Sequence, residues 1–139
     1  SRFLLAKIIW MFENATPTHM SMVSMKIAIA QLNPTIGDLA HNAEQILTAV
    51  NTAAAAGARL VLTPELSLCG YPPRDLLLRP GFITTMRQAL ETLARQLPPA
   101  VAVLVGFAEL NVGARDRGAK PLYNSIAWLE NGPVQQVFR

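Results

Sequence analysis

The sequence contains a single cysteine, Cys69, and only two histidines, His19 and His41. One cysteine excludes an internal disulfide and a structural zinc site built on cysteines, and the two histidines are too far apart in sequence to suggest a metal site. Charged residues make up 15% of the chain. The run Phe3 to Phe12 is apolar except for Lys7, and it is too short to span a bilayer. These absences predict no metal and no membrane association, and they are typical of a reducing cytoplasm.

Basic residues are few and scattered, although they outnumber acidic ones by 12 to 9. Only Arg115, Arg117 and Lys120 cluster, in a loop that contains glycine. Because no aromatic residues interleave with them, a nucleic-acid surface is not expected despite a net charge of +3.

The length of 139 residues and the hydrophobic content of 51% predict one domain with a sizeable core. The chain begins with a serine, and Met25 immediately precedes the first clear strand pattern. We therefore interpret residues 1–24 as a non-core N-terminal extension and residues 25–139 as the domain. A cleaved targeting segment is the alternative for the extension, although no clear cleavage site follows its apolar run.

The periodicity of the domain predicts an α/β fold. Residues 26–32 form a strand pattern, Asp38 is a suitable N-cap, and a helical stripe follows as far as Gly57. The stripe comprises Leu39, Ala43, Ile46, Leu47, Val50, Ala53 and Ala54. A second strand over 59–63 completes a βαβ unit, which makes the two strands parallel.

The second half of the domain predicts a helix over 81–96, strands over 100–110 and 122–130, and a hairpin at Asn131–Gly132. The final strand, 134–138, has no following helix to cover it. A mixed sheet of this kind is buried on both faces, so we expect a larger layered fold that is truncated here at its C-terminus.

The stretch from Leu60 to Pro73 is the candidate site. A short apolar strand leads into Pro64, which cannot donate to a ladder, and Glu65 then lies where the strand ends. A carboxylate among leucines is expected to be partly desolvated, which favours its role as a proton acceptor. The alternative is a surface glutamate without a chemical role.

Several motifs resemble the carbon–nitrogen hydrolase, or nitrilase, superfamily. They are the run Met25 to Pro34, Gly37–Asp38, Pro64–Glu65–Leu66 and Gly70–Tyr71. The longer run Gly70 to Leu77 and the stretch Leu122 to Ser125 resemble, more narrowly, the glutaminase domain of glutamine-dependent NAD+ synthetases. The resemblance covers Met25 to Arg139 and implies the N-terminal half of such a domain.

The resemblance implies a partial four-layer α-β-β-α sandwich that forms homo-oligomers. It assigns Glu65 as the general base of a Glu–Lys–Cys set that hydrolyses glutamine, and Tyr71 as a residue of the glutamine pocket. It further implies a C-terminal synthetase domain in the full-length parent. That domain uses ATP and Mg²⁺ to convert deamido-NAD+ to NAD+ with the released ammonia, whereas no cofactor is expected in the present chain.

The family's lysine and nucleophilic cysteine are expected beyond Arg139, so the fragment itself is expected to be inactive. Lys120 lies in a polar loop before a strand and is a poor substitute for the lysine. Cys69 is four residues after Glu65, but a buried, inert thiol is the preferred interpretation. For Tyr71, packing is as good an explanation as substrate binding.

Two other functions stay open. The first is another carbon–nitrogen hydrolase, of the omega-amidase or ureidopropionase type. The second is a non-catalytic truncated module that binds partners through an exposed sheet edge.

Overall fold

Six strands and two α-helices form the part of the chain that the structure, a computed structural model, describes: residues 2–10 and 23–139. The strands are β1 (Arg2–Trp10), β2 (Val23–Gln31), β3 (Leu60–Leu62), β4 (Ala102–Leu110), β5 (Leu122–Leu129) and β6 (Val134–Phe138). The helices are α1 (Leu39–Ala55) and α2 (Phe82–Gln96), and a short 3-10 helix spans Arg74–Leu78.

The strands lie in one mixed sheet in the order of the chain, β1 to β6. The pairs β2–β3 and β3–β4 are parallel, and the other three pairs are antiparallel. The two parallel connections advance across the sheet in the same direction. Since such crossovers are right-handed, α1 and α2 must cover the same face. Residues 2–10 and 23–139 thus form one helix layer on one sheet.

The core lies between the helices and this sheet face. Alternate strand residues point towards the helices, and most of these side chains are fully buried. The fully buried apolar ones are Ala28, Ala30, Val61, Val103, Val105, Phe107, Ala127 and Leu129. From α2 they meet Met86, Leu90 and Leu93, each no more than 1% exposed.

The opposite sheet face is apolar and lacks a helix among the described residues. Ile29, Ile126 and Phe138 are 36%, 45% and 44% exposed there, and Leu62 and Leu104 are half-buried. We call this surface the open face.

The ends of α1 are fixed by polar contacts. The Asp38 carboxylate accepts a hydrogen bond from the backbone N–H of His41 at 3.1 Å, as the N-cap prediction requires. At the other end the Lys26 ammonium donates to the Ala56 carbonyl at 2.5 Å, which places a cation at the negative end of the helix dipole. The predicted stripe omitted Asn42 and Ala49, which are both buried.

The structure differs from the sequence interpretation in part of the N-terminal extension. Residues 2–10 form β1, whose backbone pairs with β2 from Arg2↔Gln31 to Trp10↔Val23. An apolar segment with high strand propensity can pair with the free edge of a neighbouring strand. Residues 2–10 therefore belong to the sheet and do not lie outside the fold. Residues 1 and 11–22 lie outside the described part, and the domain boundary at Met25 stays a prediction.

Among the residues that the structure describes, no helix has the length and hydrophobicity needed to cross a bilayer.

Replacing Leu90 with alanine should lower the free energy of unfolding by about 2–5 kcal/mol, because Leu90 is fully buried between α2 and the sheet. Urea unfolding of the purified chain, followed by circular dichroism, measures the change. The control is Leu78→Ala in the 3-10 helix, where the side chain is 74% exposed. We expect a change there within about 0.5 kcal/mol, and equal losses in the two variants would contradict the described core.

Candidate active site

The site begins where β3 stops. The Thr63 N–H makes the last ladder bond, to the Leu104 carbonyl at 3.1 Å, and Pro64 has no N–H with which to continue. The chain then turns tightly, with the Ser67 N–H bonded to the Pro64 carbonyl and the Gly70 N–H bonded to that of Leu66. Leu66 has a φ of 49°, in the left-handed region that non-glycine residues rarely adopt. Glu65 therefore lies at the first bend of a well-defined loop.

A glycine in the neighbouring strand lets this loop cross the sheet. A Cβ atom at Gly106 would lie 2.6 Å from the Leu66 nitrogen and 2.7 Å from the Pro64 oxygen. No side chain fits at these distances, so the loop passes directly over the backbone of β4. A glycine within an apolar strand is the sequence signal of such an approach.

Hydroxyl groups tie the loop to the strand below it. Thr63 Oγ1 lies 2.7 Å from Ser67 Oγ and donates to the Leu104 carbonyl at 3.0 Å. The Leu68 N–H donates to the Gly106 carbonyl at 3.2 Å. Because Ser67 is fully buried, its hydroxyl needs these partners.

Asn42 of α1 holds the other side of the loop. Its side-chain amide donates to the carbonyls of Thr35 and Leu68 at 2.7 and 3.1 Å, and its oxygen accepts from the Thr35 N–H at 2.8 Å. Asn42 is fully buried, and the Gly37 N–H adds a bond to the Cys69 carbonyl at 2.8 Å. The Glu65 loop is thus attached to α1 as well as to β4.

The Glu65 carboxylate lies on the open face and contacts β5. Asn124 Nδ2 donates to Glu65 Oε1 at 2.5 Å. Both residues line a cavity of about 530 Å³, whose other walls are Leu62, Thr63, Pro64, Leu104, Gly106 and Ile126. The walls are mostly apolar, and Thr63, Glu65 and Asn124 are the polar residues among them. This is the arrangement of a small-molecule site.

The expected desolvation of Glu65 is wrong for this structure, because Glu65 is exposed. Leu66 and Leu68 are buried in the core, while the open face leaves Glu65 and the cavity accessible. The predicted position at the end of β3 is correct, and the carboxylate does lie in a cavity.

The other candidate residues are not brought to this cavity. Tyr71 is 65% exposed and is not among the residues that line it. Lys120 is exposed in the loop before β5. The structure therefore supports neither packing of Tyr71 nor a role for Lys120 beside Glu65.

Cys69 is buried on the inner side of the loop. Its thiol is fully inaccessible and lies 3.7 Å from the Leu66 carbonyl. Burial raises the pKa of Cys69 to about 11, because the interior disfavours the charged thiolate. The predicted burial of Cys69 is therefore confirmed, and because a nucleophile must be reached and deprotonated, this burial argues against a nucleophilic role.

A second strand-end carboxylate, Glu109, is separate from the site. Glu109 continues the series of β4 residues that face the helices. Its Oε1 accepts hydrogen bonds from Ser125 Oγ at 3.0 Å and from Arg139 Nε at 2.5 Å. Glu109 is therefore satisfied on the face opposite to Glu65. No group of three histidine, cysteine or acidic side chains suited to a metal ion occurs in the part of the chain that is described.

Sequence reasoning missed the residues that hold Glu65. Gly106 had a detectable signal, an isolated glycine in an otherwise apolar strand. Asn124 belongs to a stretch that carries the family resemblance, but nothing in the sequence joins it to Glu65. Asn42 had no signal, since helical periodicity counts only apolar residues.

The chain belongs to the carbon–nitrogen hydrolase family, whose model matches residues 26–136. The match starts one residue after the predicted domain start at Met25 and includes Glu65 and Asn124.

Among curated relatives, the chain is similar to glutamine-dependent NAD(+) synthetases. It is 52% identical over 112 residues to that of Synechocystis sp., covering 81% of this chain and 20% of the relative. The relative from Thermotoga maritima is 35% identical over 119 residues, covering 85% of this chain and 19% of the relative. The chain thus spans about a fifth of the length of the curated relatives it matches.

Solved structures agree on the fold. A glutamine-dependent NAD+ synthetase from Acinetobacter baumannii, in complex with ADP, superposes with a TM-score of 0.72 at 32% identity and covers 85% of this chain and 21% of that one. An amidase from Nesterenkonia sp., at 24% identity, shows the same fold with a TM-score of 0.63 and covers 83% and 42%. The expected α/β, nitrilase-like fold is therefore confirmed, and the described residues form one sheet and one helix layer.

Replacing Gly106 with alanine should displace the Glu65 loop, because the new Cβ would meet backbone atoms that cannot rotate away. We expect a loss of about 1–3 kcal/mol in the free energy of unfolding, measured in urea. Gly118→Ala is the control. It has nothing within 4 Å and carries only the cost of its φ of 62°, which is about 1 kcal/mol. A smaller loss at Gly106 than at Gly118 would contradict the close crossing.

The Cys69 thiol should resist alkylation by iodoacetamide at pH 8 in the folded chain and react in urea. Its raised pKa also predicts a pH effect on stability. The unfolded thiol, with a pKa of 9.0, loses its proton before the folded one at about 11. The free energy of unfolding should therefore fall as the pH rises from 9 to 11, and Cys69→Ala should remove this part of the dependence. Alkylation of the folded chain at the rate seen in urea would contradict the burial.

Proposed function

We propose that this chain is the first half of a glutamine amidohydrolase domain, in which Glu65 is the general base. The observation that supports the proposal is the position of Glu65, in a cavity at the end of β3, in a chain that is 52% identical over 112 residues to a glutamine-dependent NAD(+) synthetase. Carboxyl ends of parallel strands are where α/β sheets place their ligands. The whole enzyme's reaction is part of the proposal, because the chain spans only a fifth of such relatives.

In this reaction Glu65 takes the proton from a cysteine thiol supplied by the rest of the domain. The thiolate attacks the side-chain amide carbon of glutamine, and a lysine stabilises the negative charge that develops on the amide oxygen. The Cys–carbon bond forms, the carbon–nitrogen bond breaks, and the proton held by Glu65 leaves with ammonia. Water then hydrolyses the thioester to glutamate and regenerates the thiol.

The residues of this chain supply the base and one part of the cavity wall. The sequence has no other cysteine than Cys69, which is buried, so the chain on its own should not hydrolyse glutamine. Tyr71 remains a proposed residue of the glutamine pocket. Its exposed ring would have to be covered by later parts of the domain.

The domain bounds, the partner domain, the oligomeric state and the localisation are proposed on the same family relation. We propose that residues 25–139 are the first half of the domain and that residues 1–24 precede it. The ammonia would pass to a synthetase domain that uses ATP and Mg²⁺, in a cytoplasmic homo-oligomer. No residue described here is assigned to ATP or Mg²⁺.

A second candidate function keeps the fold and changes the substrate. The likeness to the Nesterenkonia amidase supports a carbon–nitrogen hydrolase that acts on another small amide, of the omega-amidase or ureidopropionase type. The third candidate is the non-catalytic module that binds partners through an exposed sheet edge.

A chimera tests the proposed role of Glu65. Residues 26–136 of this chain replace the matching segment of the Synechocystis enzyme, and NAD+ formation is measured with glutamine and with ammonia. Glu65→Gln keeps the side-chain shape but removes the base. We expect glutamine-driven formation to fall by at least about 100-fold while ammonia-driven formation is unchanged, because a general base acts only in the first.

The matched control is Glu44→Gln, an exposed glutamate on α1, which should leave both activities unchanged. Glutamine-driven activity that survives Glu65→Gln would overturn the assignment. A chimera that releases ammonia from other small amides in preference to glutamine would favour the second candidate.

A further inference from the structure

The contact between Glu65 and Asn124 joins two elements that are not neighbours in the sheet. Glu65 follows β3, Asn124 lies on β5, and β4 runs between them. The crossing at Gly106 is what carries Glu65 over β4, since any side chain there would block the loop. The geometry brings a carboxylate to an amide donor 59 positions away in sequence.

Asn124 is a rigid support for this contact. It lies inside a strand and pairs with Ala108 of β4, two positions from Ile126, which pairs with Gly106. Strand positions hold a side chain more closely than loop positions do. The adjacent Ser125 faces the other way and is buried against the helix layer, where it bonds to Glu109. The alternation of β5 therefore directs Asn124 to the open face.

The side-chain amide of Asn124 is a suitable hydrogen-bond donor for a carboxylate that acts as a base. An amide is neutral, so it can orient a carboxylate without placing a positive charge beside it, as arginine or lysine would do. It occupies Oε1 alone, and among the described residues Oε2 receives no hydrogen bond. One oxygen is thus fixed while the other stays available to accept a proton at the cavity.

We propose that Asn124 is a positioning residue for Glu65. It holds Oε1 so that Oε2 is presented to the thiol in the reaction proposed above. This inference rests on the proposed function. It assigns Asn124 a role in the proton transfer and none in binding glutamine, so its loss should affect kcat and leave KM for glutamine nearly unchanged.

The test uses Asn124→Ala and Asn124→Asp in the same chimera. Both remove the donor, and aspartate also sets a second negative charge against Glu65. We expect kcat for glutamine-driven NAD+ formation to fall by about 10- to 100-fold with alanine and further with aspartate, since misplacing a catalytic group by about 1 Å costs up to 100-fold. KM for glutamine should change less than about twofold, as expected for a group that acts only in the transition state.

The matched control is Asn51→Asp on the exposed side of α1, which should leave kcat unchanged. Unchanged kcat in both Asn124 variants would overturn the inference, and so would a loss that lies wholly in KM. Ammonia-driven formation that falls together with the glutamine-driven reaction would also overturn it, because the residue would then serve folding.

Glu65→Gln, measured in parallel, separates the two proposals. If that variant retains glutamine-driven activity, the proposed function fails whatever Asn124 does. If it loses this activity while the Asn124 variants keep it, only the positioning role fails.

Discussion

The crossing of the Glu65 loop over Gly106 is the constraint on which the site depends. The loop can reach β5 only because β4 carries no side chain at this point, with 2.6 Å left between a hypothetical Cβ and the Leu66 nitrogen. Close packing of backbone on backbone leaves no room for adjustment. In that narrow space the chain turns through a left-handed conformation at Leu66. The hydroxyl groups of Thr63 and Ser67 hydrogen-bond to each other, which satisfies polar groups that water does not reach easily there.

The two faces of the sheet carry different kinds of residue. The helix-facing side contains the fully buried side chains and also Glu109, which is satisfied by Ser125 and Arg139. The open face contains the cavity, Glu65 and Asn124. These two carboxylates thus have separate surroundings, because strand alternation directs Glu109 of β4 to the helix side, whereas the loop that crosses Gly106 carries Glu65 over the open face.

Sequence reasoning could predict the elements and the position of Glu65, because these depend on local signals. Periodicity located α1 and α2, and Asp38 marked the start of α1. It could not predict the surroundings of Glu65, since exposure depends on which residues cover the open face and Asn124 is distant in sequence. The pairing of β1 was also missed, because an apolar run in an atypical N-terminal segment gives no information about its partner strand.

Asn42 shows how narrow the chemical choice at a supporting position can be. Its one oxygen and both amide hydrogens are engaged by backbone groups of two different loops, and the side chain is fully buried. Aspartate would present an anion to two carbonyl oxygens, and leucine would leave three main-chain groups without partners. Among the twenty amino acids, asparagine alone combines this side-chain length with one acceptor oxygen and two donor hydrogens, so the residue type at this helix position is set by the two loops that it joins.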